Sequence, residues 1–136
     1  MTTKITPVIK DSGKRQEFNT GSRRDTRDGK GRFDLLPMFA EEEIAKHFEG
    51  GAIKYGERNW EKGQPLSRYA DSAKRHLNKA LRGQNDEPHL TAAAWNLLCL
   101  IDTKKRIEIG LLPKELDDLP KDLPIEVIKK LCNEKQ

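Results

Sequence analysis

Apolar residues recur every four positions from Leu36 through Ala40, Ile44, Phe48 and Ala52, with Leu35, Phe39 and Ala45 beside them. That spacing keeps one broad face of a helix apolar. Asp34 offers an N-cap for the segment, and Pro37 suits its first turn, where a missing N–H has no intrahelical partner to lose. Gly50 and Gly51 each weaken a helix by about 1 kcal/mol relative to alanine. The pattern therefore predicts a kink or an end there, then a loop through YGERNWEKGQP. A second helix is expected from about Leu66, with Ser67 as a candidate cap, through Tyr69, Ala73, His76, Leu77, Ala80 and Leu81 to a stop at Gly83. The polar turn GQNDEPH leads into a third helix from about Glu87 to Ile109. Leu90, Ala93, Ala94, Leu97, Leu98 and Ile101 are expected to face inward, with Pro88 tolerated at the start and Gly110 closing the helix. Beyond the proline-punctuated stretch LPKELDDLPKDLP, Ile125 to Cys132 form a short amphipathic helix. Its Ile125, Ile128 and Leu131 are expected to dock on the body or on another subunit.

No stretch alternates with period two, which excludes a substantial sheet. The expected fold class is all-α, a small bundle of three main helices plus a short C-terminal helix, preceded by a basic, partly disordered N-terminal arm. The corresponding division is residues 1–30 for the arm, 31–112 for the helical domain and 113–136 for the linker and last helix. Three helices make a thin bundle, and the apolar faces of the first and third are wider than one partner covers. A homo-oligomer that completes the core is the expected remedy.

Charge adds a second layer. Residues 1–32 hold nine Lys or Arg against four Asp or Glu, while the remaining 104 hold 17 against 18, so the whole excess of +4 is N-terminal. Such an arm is either a solvated tail or a contact for nucleic acid or a phosphorylated small molecule. Cys99 and Cys132 lie in apolar-periodic segments without CxxC spacing, which argues for buried thiols and against a zinc finger or a disulfide framework. No apolar run is long enough to span a membrane and no signal-like segment opens the chain, so the expected location is cytoplasmic.

The residues able to carry chemistry cluster. Lys30 and Arg32 flank the expected first cap, Lys54 and Arg58 flank Tyr55, and Arg68 and Arg75 share a helix face. Cations beside glycine-bearing turns suit a polyanion, because guanidinium forks take phosphate oxygens two at a time. The alternative is a set of ordinary exposed charges. Trp60 either anchors its loop on the core or, like Tyr55, stacks on a base, and Asn59 either pairs with a base edge or closes the turn. His47, four residues after Glu43, reads as a surface pair. Asp86, Glu87 and His89 can converge as a carboxylate–imidazole cluster at the mouth of the third helix, acceptable to Mg²⁺ or Mn²⁺, with Asn96 on the same face as His89. His76 faces inward on the second helix, where Asp71 and Arg75 could orient it.

Taken together, the ordered strings GKGRFDLLP, GAIKYGERNWEKGQPLSRY, DSAKRHL and DEPHLTAAAWN are similar to the phage-type dATP/dGTP diphosphohydrolase family, N-terminal domain, over about residues 20 to 102. The combination is specific where any one piece is weak. The resemblance implies an all-α, MazG-like, metal-dependent enzyme that cuts a purine deoxynucleoside triphosphate to monophosphate and pyrophosphate, in the host cytoplasm for a phage protein. It carries over Lys30, Arg32 and Asp34, then Lys54, Tyr55, Asn59 and Trp60, then Arg75 and His76, and finally Glu87, His89 and Asn96. MazG-type enzymes bind metal through ExxE and ExxD pairs, whose spacing puts both carboxylates on one helix face. That pattern is absent from the expected helices: Glu41, Glu42 and Glu43 are followed at i+3 by Ile44, Ala45 and Lys46, and Glu87 by Leu90.

The resulting expectation assigns His89, Glu87 and His76 to catalysis and Asp86, Glu87 and His89 to a divalent metal, Mg²⁺ with Mn²⁺ or Co²⁺ as alternatives. Lys30, Arg32, Lys54, Tyr55, Asn59, Trp60, Arg75 and Asn96 are assigned to the deoxynucleoside triphosphate. Two other readings stay open: a nucleic-acid-binding accessory protein using the basic arm, and an inactive relative acting as an interaction scaffold.

Overall fold

A computed structural model describes residues 8–121 and 124–134 and is helical apart from one small hairpin. The first seven residues of the expected arm lie outside the described residues. The chain divides into two compact units, Met1–Leu36 and Pro37–Gln136.

In the N-terminal unit, strands β1 (Arg15–Glu17) and β2 (Arg23–Asp25) pair antiparallel, where an extended arm was expected. The turn between them makes this possible. Phe18 N–H donates to the Ser22 carbonyl at 2.9 Å and Gly21 N–H to the Phe18 carbonyl at 2.8 Å, with Gly21 at φ 83°. A left-handed glycine at that place closes a three-residue hairpin loop. A short 3₁₀ turn follows over Phe33–Leu35. Asp34 sits inside it and does not cap a helix: its carboxylate accepts both arms of the Arg32 fork, at 2.8 and 2.7 Å.

The second unit holds α1 (Met38–Tyr55), α2 (Leu66–Leu81), α3 (His89–Glu108) and α4 (Ile125–Asn133). Helix α1 runs unbroken through Gly50 and Gly51 and stops at Gly56, whose φ of 93° ends it. The glycines cost helix propensity, and the helix is anchored just before them, where Phe48 meets the Trp95 ring at 5.7 Å and the Trp60 ring at 6.0 Å.

The core lies between α2 and α3. Leu66, Tyr69 and Ala73 of α2 are buried against Ala92, Ala93, Asn96, Cys99 and Thr103 of α3. Positions three and four apart share a helix face, and small residues on both sides let the axes approach. Burying Leu66 alone contributes about 1.5–3 kcal/mol. Burial pushes the Cys99 thiol up to about 12. Helix α2 is capped from a distance: Ser67 N–H donates to Asp118 Oδ1 at 2.8 Å, and the Ser67 hydroxyl bonds the other carboxylate oxygen. Ser67 is therefore the recipient of a cap, not its donor, and the linker is folded back to supply it.

The expected inward face of α3 is corrected by this packing. Because its small and polar stripe takes the contact with α2, Leu90, Leu97, Leu98 and Ile101 point away and remain 65, 49, 44 and 64% exposed. Helix α4 buries none of its described residues, so Ile125, Ile128 and Leu131 do not dock on the body. No helix among the described residues is long and apolar enough to cross a membrane.

Candidate functional site

Helix α1, the loop after it and the facing sides of α2 and α3 enclose a cleft of about 1130 Å³. Side-chain contacts fasten the loop at several points. Trp60 lies edge-on to Phe48, and the Arg106 guanidinium stands 5.2 Å from the centre of its ring. Arg106 in turn bonds Asp102 at 2.7 Å. Arg58 adopts a left-handed backbone, φ 59°, and pairs with Glu61 at 2.7 Å. At the loop's far end Gly63 has φ 94°, and a Cβ there would stand 2.7 Å from Leu116 Cδ1. Trp60 is thus an anchor of the loop that also lines the cleft, beside Lys54, Tyr55 and Asn59.

Two imidazoles meet beside the cleft, which His76 lines and His89 backs. His76 of α2 and His89 at the first position of α3 bring their Nδ1 atoms to 3.0 Å, and His89 Nε2 lies 2.7 Å from Asp86 Oδ1. The carboxylate fixes the tautomer: His89 Nε2–H donates to Asp86, leaving Nδ1 as an acceptor toward His76. His89 is 2% exposed, and its bond holds the Asp86 carboxyl below the usual carboxylate range. Glu87 joins the pair, so that one ligand atom each of His76, Glu87 and His89 lies within 4.8 Å of the others.

Glu87 is also the electrostatic centre of the cleft, its charge reaching His47, His76 and Lys54. Burial lowers the pKa of His47 and of His76, and Glu87 partly opposes this in both. Tyr55, with the Lys54 ammonium 5.0 Å from the centre of its ring, favours that lysine's charged form, and Glu87 adds to the effect.

The site departs from the sequence expectation in several places. Asp86, expected as a ligand, stands behind His89 and orients it, while His76 takes the place beside Glu87. His47 is no surface pair: it is half-buried with its ring 5.5 Å from Trp95, and Glu43 bonds Lys46 instead. Asn96 is buried and lines the cleft, its Nδ2 donating to the Ala92 carbonyl at 2.8 Å. Arg75 is exposed and bound to Asp71 at 2.6 Å, with a second bond to Ser72, which does line the cleft. Lys30 and Arg32 belong to the N-terminal unit, where Arg32 is engaged by Asp34. Trp95, absent from the expected site, packs against His47, Phe48 and Tyr69, and its buried Nε1–H has no partner among the described residues.

The arrangement suits a divalent ion. Ligands at about 2.1 Å and a right angle to one another lie about 3.0 Å apart, which is the separation of the two Nδ1 atoms. A carboxylate behind one imidazole is the usual support for a metal-bound histidine.

The family model described as dATP/dGTP diphosphohydrolase, N-terminal, matches residues 20–110. No curated protein and no solved structure matches the chain. The matched span includes every residue of the cleft and of the His76–Glu87–His89 group, and the chain belongs to the dATP/dGTP diphosphohydrolase N-terminal family.

Proposed function

We propose that this cleft hydrolyses a purine deoxynucleoside triphosphate, dATP or dGTP, to the monophosphate and pyrophosphate. The observation that carries the reading is the imidazole pair, His76 and His89, set 3.0 Å apart with Asp86 behind and Glu87 beside them. The cleft above them is of a size suited to a small organic ligand.

His76, Glu87 and His89 would hold the ion, and two nitrogen ligands favour Mn²⁺ or Co²⁺ over the Mg²⁺ expected from carboxylates. A divalent ion supplies charge neutralisation on phosphate oxygens and an acidified water. Lys54 contributes fixed positive charge for the leaving phosphates, and Arg58, on the loop that lines the same cleft, adds to it. Tyr55 and Asn59, which line the cleft, would meet the base and sugar, with Trp60 anchoring their loop. His47, a half-buried imidazole kept neutral by its surroundings, is suited to take the proton of the attacking water. In that step the water oxygen joins the α-phosphorus, the bond to the bridging oxygen breaks and pyrophosphate leaves. The test is turnover of each of the four dNTPs with Mn²⁺, Co²⁺ or Mg²⁺, followed by chromatography. Purine dNMP and pyrophosphate in equal amounts support the reading, and no turnover with any ion overturns it.

The enzyme is further read as a homodimer. Leu90, Ala94, Leu97, Leu98 and Ile101 form an exposed stripe at helical spacing without a charged member. Monomers rarely leave such patches open. A second copy is the occupant that fits, because a two-fold axis lays this stripe on itself and every Leu or Ile then meets an apolar side chain. The free thiols, with Cys132 exposed, suit a reducing cytoplasm.

A further inference from the structure

We propose that one face of the N-terminal hairpin is a binding site for single-stranded nucleic acid. Side chains alternate across a strand, so the pairing of Gln16 with Arg24 and of Glu17 with Arg23 sorts the hairpin into two faces. On one face the cations are paired with carboxylates. Arg15 bonds Asp11 at 2.6 Å and Asp25 at 2.8 Å, and Glu17 lies opposite Arg23.

The other face is different. Gln16, Phe18 and Arg24 share it, and together with Lys10, Arg27 and Lys30 they line a hollow of about 870 Å³. Asp11, Asp25 and Arg15 also border the hollow; Arg15 bonds both carboxylates, which leaves one net negative charge against the four cations. Among the described residues Lys10, Arg24 and Lys30 form no ion pair, and Arg27 has only a long approach to Asp34 at 3.9 Å. Phe18 is 41% exposed at the hairpin's end and stacks on no other ring among the described residues.

Each component matches a part of an unpaired strand. Four cations suit successive phosphates, the Phe18 ring offers a platform for one base, and the Gln16 amide can pair with a base edge. A duplex hides the faces of its bases, leaving Phe18 nothing to stack on, so the unpaired form is favoured. The inference is independent of the hydrolytic reading, since these residues belong to the N-terminal unit and His76, Glu87 and His89 to the second.

The test is fluorescence anisotropy of a labelled twelve-nucleotide single strand with the full chain, repeated against a duplex of the same length. Binding should saturate, with log K falling against log salt at a slope of about −3 for four phosphate contacts. Phe18→Ala should weaken it roughly tenfold and Phe18→Trp should restore it. Arg24→Glu with Lys30→Glu should abolish it, whereas His76→Ala with His89→Ala should leave it unchanged. Absence of binding at low salt, equal affinity for the duplex, indifference to Phe18→Ala, or displacement by equimolar free dNTP would each overturn the proposal.

Discussion

His76 and His89 come from different helices, thirteen residues apart in sequence, and bring equivalent ring nitrogens to 3.0 Å. Two imidazoles at that distance can share one proton or one metal ion, but both cannot be protonated without direct repulsion. Burial favours the neutral form of His76.

The pH dependence follows in sign. A histidine whose folded pKa lies below its ordinary value of 6.5 contributes stability above that value and loses it as pH falls through the folded pKa. Thermal stability should decline as pH drops below about 6.5, more steeply with Mn²⁺ present, because protonation also removes a ligand. Melting curves between neutral and acid pH check this, and His76→Gln should flatten both dependences.

Asp86→Asn keeps an acceptor for His89 Nε2–H but removes the charge that holds the tautomer. Metal affinity measured by calorimetry should fall about tenfold or more, as is usual when a carboxylate behind a metal-bound histidine is lost. The fold should be unaffected, since Asp86 is exposed.

Gly50 and Gly51 line the cleft, and nothing lies within 4 Å of the place a Cβ would occupy at either. Alanine at each should raise stability by about 0.5–1 kcal/mol through helix propensity. It should also raise KM for the dNTP, since the added methyl narrows the cleft wall. Parallel unfolding and steady-state kinetics separate the two effects.

Gly63→Ala should behave oppositely. Its φ of 94° and the 2.7 Å approach to Leu116 leave no room for a side chain, so a loss of more than about 1 kcal/mol is expected. Denaturant unfolding measures it, and reduced turnover should accompany it because Trp60 and Asn59 share that loop.

Leu97→Glu with Ile101→Glu places two charges in the open stripe of α3. Light scattering should show the wild-type chain as a dimer and the variant as a monomer with unchanged helical circular dichroism.

Helix α2 was legible because its core follows a plain period, Leu66, Tyr69 and Ala73 recurring at three and four, and α3 was legible from a periodic apolar stripe of which only Ala93 is buried. Periodicity names an apolar face without saying what covers it, which is why Leu90, Leu97, Leu98 and Ile101 were expected inside. Local rules misplaced the caps. Asp34 has the chemistry of an N-cap but is taken by Arg32, and the group that does cap α2, Asp118, lies 51 residues from Ser67. Sequence proximity grouped Asp86, Glu87 and His89, whereas the fold brings His76 from the neighbouring helix beside Glu87 and His89 and leaves Asp86 bonded to the far nitrogen of His89. His47 and Trp95 gave no signal, because their place in the cleft depends on how α1 lies against α3.

Whether the cleft cuts between the α- and β-phosphates with the help of the His76–His89 pair is decided by hydrolysing dGTP and dATP in ¹⁸O-labelled water with Mn²⁺ and locating the label by mass spectrometry. One ¹⁸O in the purine dNMP, unlabelled pyrophosphate, and loss of at least about a hundredfold in rate for His76→Ala with His89→Ala are expected. Label in inorganic phosphate or triphosphate, or a double variant as fast as the wild-type chain, would contradict this reading of the cleft.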